Sequence, residues 1–275
     1  MREIRLCDSS SFEETIKKCQ DNNIGIEVQT FYDLMPKKGE TRKSADIRIE
    51  EELLKEKEVL DQLTISKSMH GPYCEMNVGS KVPEIVAVAK KYYEKGYEIA
   101  KKLGCTEIVF HNGYYPGTST ETKWTARAIN FWKNFLKDKD DGITICLENQ
   151  FELRSDMLKN VIDGVNDNRL RICLDIGHAH ANSNMAVEEW IETLGDRIVY
   201  YHLHNNHGKQ NIPGHNNDEH LGLNHGTIDI EKVLKCSEKY SPNAIWNLEA
   251  KVDYHLEDLK TLQSLGYKNI NDSKE

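Results

Sequence analysis

The sequence predicts an α/β fold, a single (β/α)8 TIM barrel spanning residues 1–275, on three observations. Eight short runs rich in β-branched and apolar residues recur along the chain, each followed by a segment of helical periodicity. The turn after the first run reads CDSSSF, without the glycine-rich signature of an open doubly wound sheet. No Pro/Ser-rich linker or low-complexity segment divides the 275 residues, and one barrel accounts for that length.

Taken in order, EIRLC (3–7) leads into SFEETIKKCQ, where Ser11 and Glu14 stand at capping-box spacing. IGIEVQ (24–29) is followed by a basic loop, FYDLMPKKGETRKSAD. LTISKSMH (63–70) precedes VPEIVAVAKKYYEKGYEIAKKLG, whose Gly104 marks a helix stop. EIVFH (107–111) supplies the fourth strand, and ITICLEN (143–149), with SDMLKNVIDGV after it, the fifth. RICLDIG (171–177) precedes VEEWIETLG, and IVYYHLHN (198–205) precedes DIEKVLKCSEKY. AIWNLEA (244–250) and LEDLKTLQSLG complete the alternation, and NINDSKE reads as a frayed tail. Trp124, Trp132, Trp190 and Trp246 fit helix and barrel packing.

Composition narrows the function classes. A net charge of −9 argues against gripping nucleic acid by bulk charge. No apolar run approaches the ~20 residues of a membrane span, and MREIRLCDSS lacks the apolar stretch of a secretory signal. A soluble, cytoplasmic protein with no membrane partner is expected. The seven cysteines are scattered, odd in number and without a C-x-x-C pair, so they read as reduced thiols.

In a (β/α)8 barrel the active site lies at the C-terminal strand ends, where the βα loops converge. Here six consecutive strands end in a histidine or a carboxylate. These are His70 in MHGPY, His111 in VFHNG, Glu148 in CLENQ, Asp175 with His178 in CLDIGHAHAN, His202 and His204 in YHLHN, and Glu249 in WNLEAK. Asp218 and His220 follow in the loop after strand seven, within a stretch (200–226) that holds six of the eleven histidines. So many acids and imidazoles around one barrel mouth are costly to bury unless a cation shares the space. Mixed N and O donors without thiolate suit Zn²⁺, Mn²⁺, Fe²⁺ or Co²⁺. Nine candidates (His70, His111, Glu148, Asp175, His178, His202, Asp218, His220 and Glu249) exceed the needs of one ion, so two or three are expected, with Glu148 bridging.

From strand three to strand eight the chain resembles the superfamily that joins endonuclease IV (AP endonuclease family 2) with the xylose-isomerase-like sugar isomerases and epimerases. The segments CLDIGHAHAN, YHLHN, DEHLGLNHGTID and WNLEAK carry the likeness. The endonuclease pattern implies three ions. His70, His111 and Glu148 would hold the first; Glu148, Asp175, His202 and Glu249 the second; His178, Asp218 and His220 the third. The isomerase branch implies only the second group, around one Mn²⁺-like ion. His202 and His204 share a face of strand seven, and the family's strand-seven pattern points to His202 as the ligand, with His204 as a hydrogen-bonding or proton-relay group. The chain departs from the endonuclease pattern at Ile176 and Gly177, at LHNNHG and at NQFEL. DIGHAHAN and HLHNNHG are similar to the sugar phosphate isomerase/epimerase branch.

The resemblance implies two chemistries. An isomerase or epimerase would bind an open-chain sugar or sugar phosphate on a divalent ion and move a proton through an enediolate, with Glu148 and Glu249 as base and acid and His204 assisting. A zinc phosphodiesterase would use all nine ligands on a nucleic acid. Lys37, Lys38, Arg42 and Lys43, with Phe31 and Tyr32, offer that alternative a basic loop, and Tyr73 an aromatic platform. The acidic balance of the chain favours reading the same loop as a lid, and Tyr73 as a wall that binds a small substrate. Glu27 either faces the mouth as a substrate-binding group or pairs with a lysine. A non-enzymatic binding protein would be missing ligands, and none is missing. His207, His215 and His225 read as loop surface, and His180 and His255 show no partner pattern. Barrels of this class often pair, so a homo-oligomer is an expected assembly.

Overall fold

The computed structural model of the protein describes residues 1–8, 11–140, 142–210 and 217–273. Eight parallel strands close in sequence order into one barrel. They are β1 (Ile4–Cys7), β2 (Gly25–Val28), β3 (Lys67–His70), β4 (Glu107–His111), β5 (Thr144–Glu148), β6 (Leu170–Asp175), β7 (Ile198–Leu203) and β8 (Ile245–Leu248). The ring closes where Ile4, Arg5 and Leu6 lie opposite Trp246, Asn247 and Leu248. Around it run α1 (Phe12–Asp21), α2 (Arg42–Leu60), α3 (Pro83–Leu103), α4 (Glu121–Leu136), α5 (Asp156–Val165), α6 (Ile176–Asn182), α7 (Val187–Leu194), α8 (Ile230–Tyr240) and α9 (His255–Ser264).

Local chemistry sets the helix ends. The Ser11 hydroxyl accepts from Glu14 N at 3.3 Å and caps α1, while the Glu14 carboxylate turns to Lys18 at 2.7 Å. Pro83 occupies the first turn of α3, where its missing N–H costs nothing. Gly104 ends that helix at φ +74°, a conformation that a Cβ would penalise.

All the strands but β4 are shorter than the runs read from the sequence, and two of the differences have a visible physical cause. Strand pairing in β3 begins at Lys67 rather than Leu63; Leu63 and Ile65 instead pack on the core as partly buried apolar residues. Strand β6 stops at Asp175, and Ile176 and Gly177 open the added helix α6. The cause is the Asp175 carboxylate, which accepts from His178 N at 2.6 Å and so caps a helix at the strand end.

Alternation along the strands sorts residues into a sheath and an interior. Outward residues such as Ile108, Phe110, Ile145 and Leu147 join the main core beneath the helices. There Tyr93 stacks on Phe110 at 4.2 Å, and all four tryptophans are fully buried. Inward residues Val109, Cys146, Cys173, Tyr200 and Ile245 form a separate apolar cluster that plugs the barrel. At the opposite end from the candidate ligands, buried Arg5 pairs with Glu3 at 2.6 Å and Glu107 at 2.5 Å. All seven cysteines are free thiols, five of them buried. Among the described residues no helix is long and apolar enough to cross a membrane.

At the start of α9, buried His255 faces the Ala250 carbonyl at 3.2 Å. Burial, reinforced by Lys18, lowers its pKa to about 4. Its folded pKa lies below the unfolded value near 6.5, so its stabilising contribution is complete above pH 6.5 and is lost as pH falls toward 4. From that shift the loss amounts to about 3 kcal/mol. We therefore expect His255→Gln to flatten the pH dependence of unfolding free energy between pH 6.5 and 4, measured by urea denaturation. A slope identical to that of the unsubstituted protein would contradict this.

Candidate metal centre

Strand register brings the candidate donors together before any loop is considered. His111 lies opposite Glu148, and Asp175 opposite His202. His70, Asp175, His202 and Glu249 are all buried, and Glu148 is 1% exposed. Three sets of donor atoms converge, each within 4.8 Å: His70, His111 and Glu148; Glu148, Asp175, His202 and Glu249; and His178, Asp218 and His220. Glu148 belongs to two of them, with Oε2 at 3.2 Å from both His70 Nε2 and His111 Nε2, and Oε1 at 3.3 Å from His202 Nδ1. His204 also comes close to His220 and Glu249, in a further set of the same kind.

Hydrogen bonds to backbone carbonyls fix which nitrogen of each ring faces the centre. A carbonyl only accepts, so the ring nitrogen against it carries the proton. His70 Nδ1 donates to Gly71 O at 2.8 Å, His178 Nδ1 to Asn149 O at 2.8 Å, and His220 Nδ1 to Glu249 O at 3.0 Å. Each leaves Nε2 facing a carboxylate. His202 is turned the other way, with Nε2 3.1 Å from Glu27 and Nδ1 3.0 Å from Glu249 Oε2.

The electrostatics follow from this packing. Burial alone would raise Glu148, but His111, His202 and His178 hold its carboxyl well below the usual range. Asp175 is brought down to about 2 against its burial by His178 and His204. Burial disfavours a charged His202, yet Glu249, Glu27 and Glu148 push its pKa well above that of a free imidazole. His220, opposed by burial and held by Asp218, rises to about 9. Protons on the imidazoles thus neutralise the carboxylates, and a divalent ion can replace them on the same atoms.

The donors fit such an ion. Glu148 Oε1, His202 Nδ1 and Glu249 Oε2 are buried atoms that approach one another, yet none has a hydrogen-bond partner among the described residues. Mixed imidazole and carboxylate donors of this kind suit zinc or manganese. Above them lies a cavity of about 360 Å³. A stack of rings runs from its rim to its floor, with Tyr32 on Tyr73 at 5.5 Å and Tyr73 on His111 at 4.6 Å.

The profile of the family described as xylose isomerase-like TIM barrel matches residues 12–241. The chain belongs to this family. A probable endonuclease 4 of Staphylococcus saprophyticus is 29% identical over 181 residues, covering 60% of this chain and 59% of that relative. The crystal structure of a D-tagatose 3-epimerase-like protein superposes with a TM-score of 0.74 at 20% identity, covering 96% and 97% of the two chains. A Thermus thermophilus protein soaked with ZnCl2 superposes with a TM-score of 0.70 at 20% identity, covering 99% and 100%. These structures share the barrel.

Within this xylose isomerase-like barrel, all nine predicted ligand positions reach the mouth, and His204 adjoins them with Nε2 at 3.1 Å from Asp175. Tyr73 lines the cavity, whereas Glu27 is fully buried beside His202. The loop after β2 divides. Tyr32 reaches the mouth, while Arg42 starts α2 and binds the Tyr92 hydroxyl at 2.6 Å. His207 pairs with Glu219, His225 with Glu257, and His180 with Thr227, all away from the cluster; His215 lies outside the described residues. Sequence reasoning missed Gln29, which donates to Glu249 Oε1 at 2.6 Å, and Asn149, which brackets the Asp175 backbone. The period-2 spacing of Gln29 from Glu27 was the available signal. Gln150 and Lys251, at the rim, carried none.

Gly177 answers a close approach. A Cβ there would lie 2.0 Å from His204 Cε1, and that ring is held by Asp175 at 3.1 Å and stacked on His220 at 4.2 Å. Gly177→Ala is expected to cost about 1–3 kcal/mol through overpacking, read by urea denaturation of metal-free protein. A wild-type midpoint would show that His204 yields freely.

Proposed function

We propose that the protein is a divalent-metal-dependent isomerase or epimerase of a small sugar or sugar phosphate. The observation that carries this reading is the Glu148–Asp175–His202–Glu249 group at the floor of a cavity of about 360 Å³. That volume lies at the small-ligand end of the range for binding pockets. Two of its carboxylates come from separate strands of the barrel, β5 and the end of β8, and among the described residues each has one oxygen without a hydrogen-bond partner.

A zinc or manganese ion on those four residues would supply Lewis-acid polarisation of a sugar carbonyl and its adjacent hydroxyl. The chain's own groups do the rest. Glu148 and Glu249 would serve as base and acid, one taking a proton from a carbon and the other giving one to its neighbour or to the opposite face, each through the carboxylate oxygen turned to the substrate. Gln29 donates to Glu249 Oε1 and so fixes the orientation of that carboxylate. His204, hydrogen-bonded to Asp175, stands beside this pair as a proton carrier. Tyr73 and Tyr32 cover the sugar face and limit water, and Lys251 offers the rim a cation for a phosphate group.

A second reading, a multinuclear zinc phosphodiesterase, is supported by the assembly of the first and third groups and by the relative named probable endonuclease 4. Metal content per chain, measured by plasma mass spectrometry on untagged protein, separates the two when paired with substrate panels. For the isomerase we expect one tightly held ion and turnover of a ketose or sugar phosphate. Glu249→Gln should then lower kcat by about 10²–10⁴-fold, with His178→Ala within tenfold of wild type. Three ions with cleavage of abasic DNA, abolished by His178→Ala, would favour the hydrolase. A chain that takes up no metal would sink both.

A further inference from the structure

Where His70, His178 and His220 each set one ring nitrogen against a backbone carbonyl, His202 sets its Nε2 against a buried carboxylate that is not one of the nine candidate ligands. Glu27 Oε2 lies 3.1 Å from His202 Nε2, and both side chains are fully buried. The other oxygen of Glu27 accepts from Gln29 Nε2 at 3.2 Å, and Gln29 in turn holds Glu249 at 2.6 Å. Both carboxylate oxygens of Glu27 are therefore engaged. Glu27 sits on β2, across the barrel from β7, and does not line the cavity where a substrate would sit.

This placement decides what Glu27 can do. A buried carboxylate against an imidazole nitrogen keeps the proton on that nitrogen and makes the ring a stronger donor at the other. For His202 the other nitrogen is Nδ1, which points at Glu148, Asp175 and Glu249 at 3.3, 3.7 and 3.0 Å. His70, His178 and His220 present Nε2 instead, each with Nδ1 on a carbonyl. We propose that Glu27 is the positioning residue of the second metal group, holding His202 so that Nδ1 rather than Nε2 is the ligand. This rests on the metal reading above, and it holds for isomerase or hydrolase alike.

The test is metal binding, not turnover. Zinc affinity of the full chain is measured by competition with a chromophoric chelator, for the unsubstituted protein and for Glu27→Gln and Glu27→Ala. Glu27→Gln keeps shape and an acceptor oxygen but loses the charge, and is expected to weaken zinc binding about 10-fold; Glu27→Ala about 100-fold. Independently, nitrogen-15 shifts of the zinc-loaded wild type should show His202 with a metal-bound Nδ1 and a protonated Nε2. His70, His178 and His220, where zinc occupies their groups, should show the reverse. That spectrum decides the matter even where a variant fails to fold. Affinities within twofold of wild type, or a metal-bound Nε2 on His202, overturn this inference while leaving the metal reading intact. A wild-type chain that takes up no zinc overturns both.

Discussion

The Glu148 carboxylate sits buried between imidazoles from β3, β4 and β7, and the way it is neutralised sets the packing of the whole barrel mouth. A lone carboxylate in that position would be untenable, since burial without a partner costs several kcal/mol. Three of the imidazoles that approach it are oriented from behind, His70 and His178 by backbone carbonyls and His202 by Glu27. Asp175 solves the same problem with one side chain in two roles, capping α6 with one oxygen while facing the cluster. The barrel's closure thus serves more than stability: it holds donors from six neighbouring strands within reach of one another.

The layers beneath explain how the donors of the mouth are held together. Between the mouth and the Arg5 ion pairs lies the apolar plug of Val109, Cys146, Cys173, Tyr200 and Ile245. In this poorly screened setting, proton-bearing imidazoles and carboxylates attract strongly enough to keep their places.

Much of this was legible in the sequence, for a physical reason. Strand alternation and helix caps are local, so the eight-fold repeat and the Gly104 stop could be read directly. The candidate ligands on β3 to β8 stood out because each ends an apolar run at the end of the barrel where active sites lie, whereas Asp218 and His220 in the loop after β7 stood out only by their spacing. Helix α6 was missed because DIG continues a strand pattern, and only the capping bond from Asp175 turns it into a helix. The partner of Glu27 was undecidable from spacing, since 175 residues separate it from His202 and the pairing crosses the barrel. Gln29 escaped for the same reason: its role depends on Glu249, far along the chain.

The interior plug has one more consequence. Among the described residues it fills the barrel below the centre, and the cavity opens between Tyr32, Tyr73 and Lys251. Arrival and departure must take turns there. A molecule seated in the cavity stands in the way of the next, and whatever enters passes the same ring of side chains. Whatever sits at that doorway, including the side chains that frame it, governs traffic in both directions.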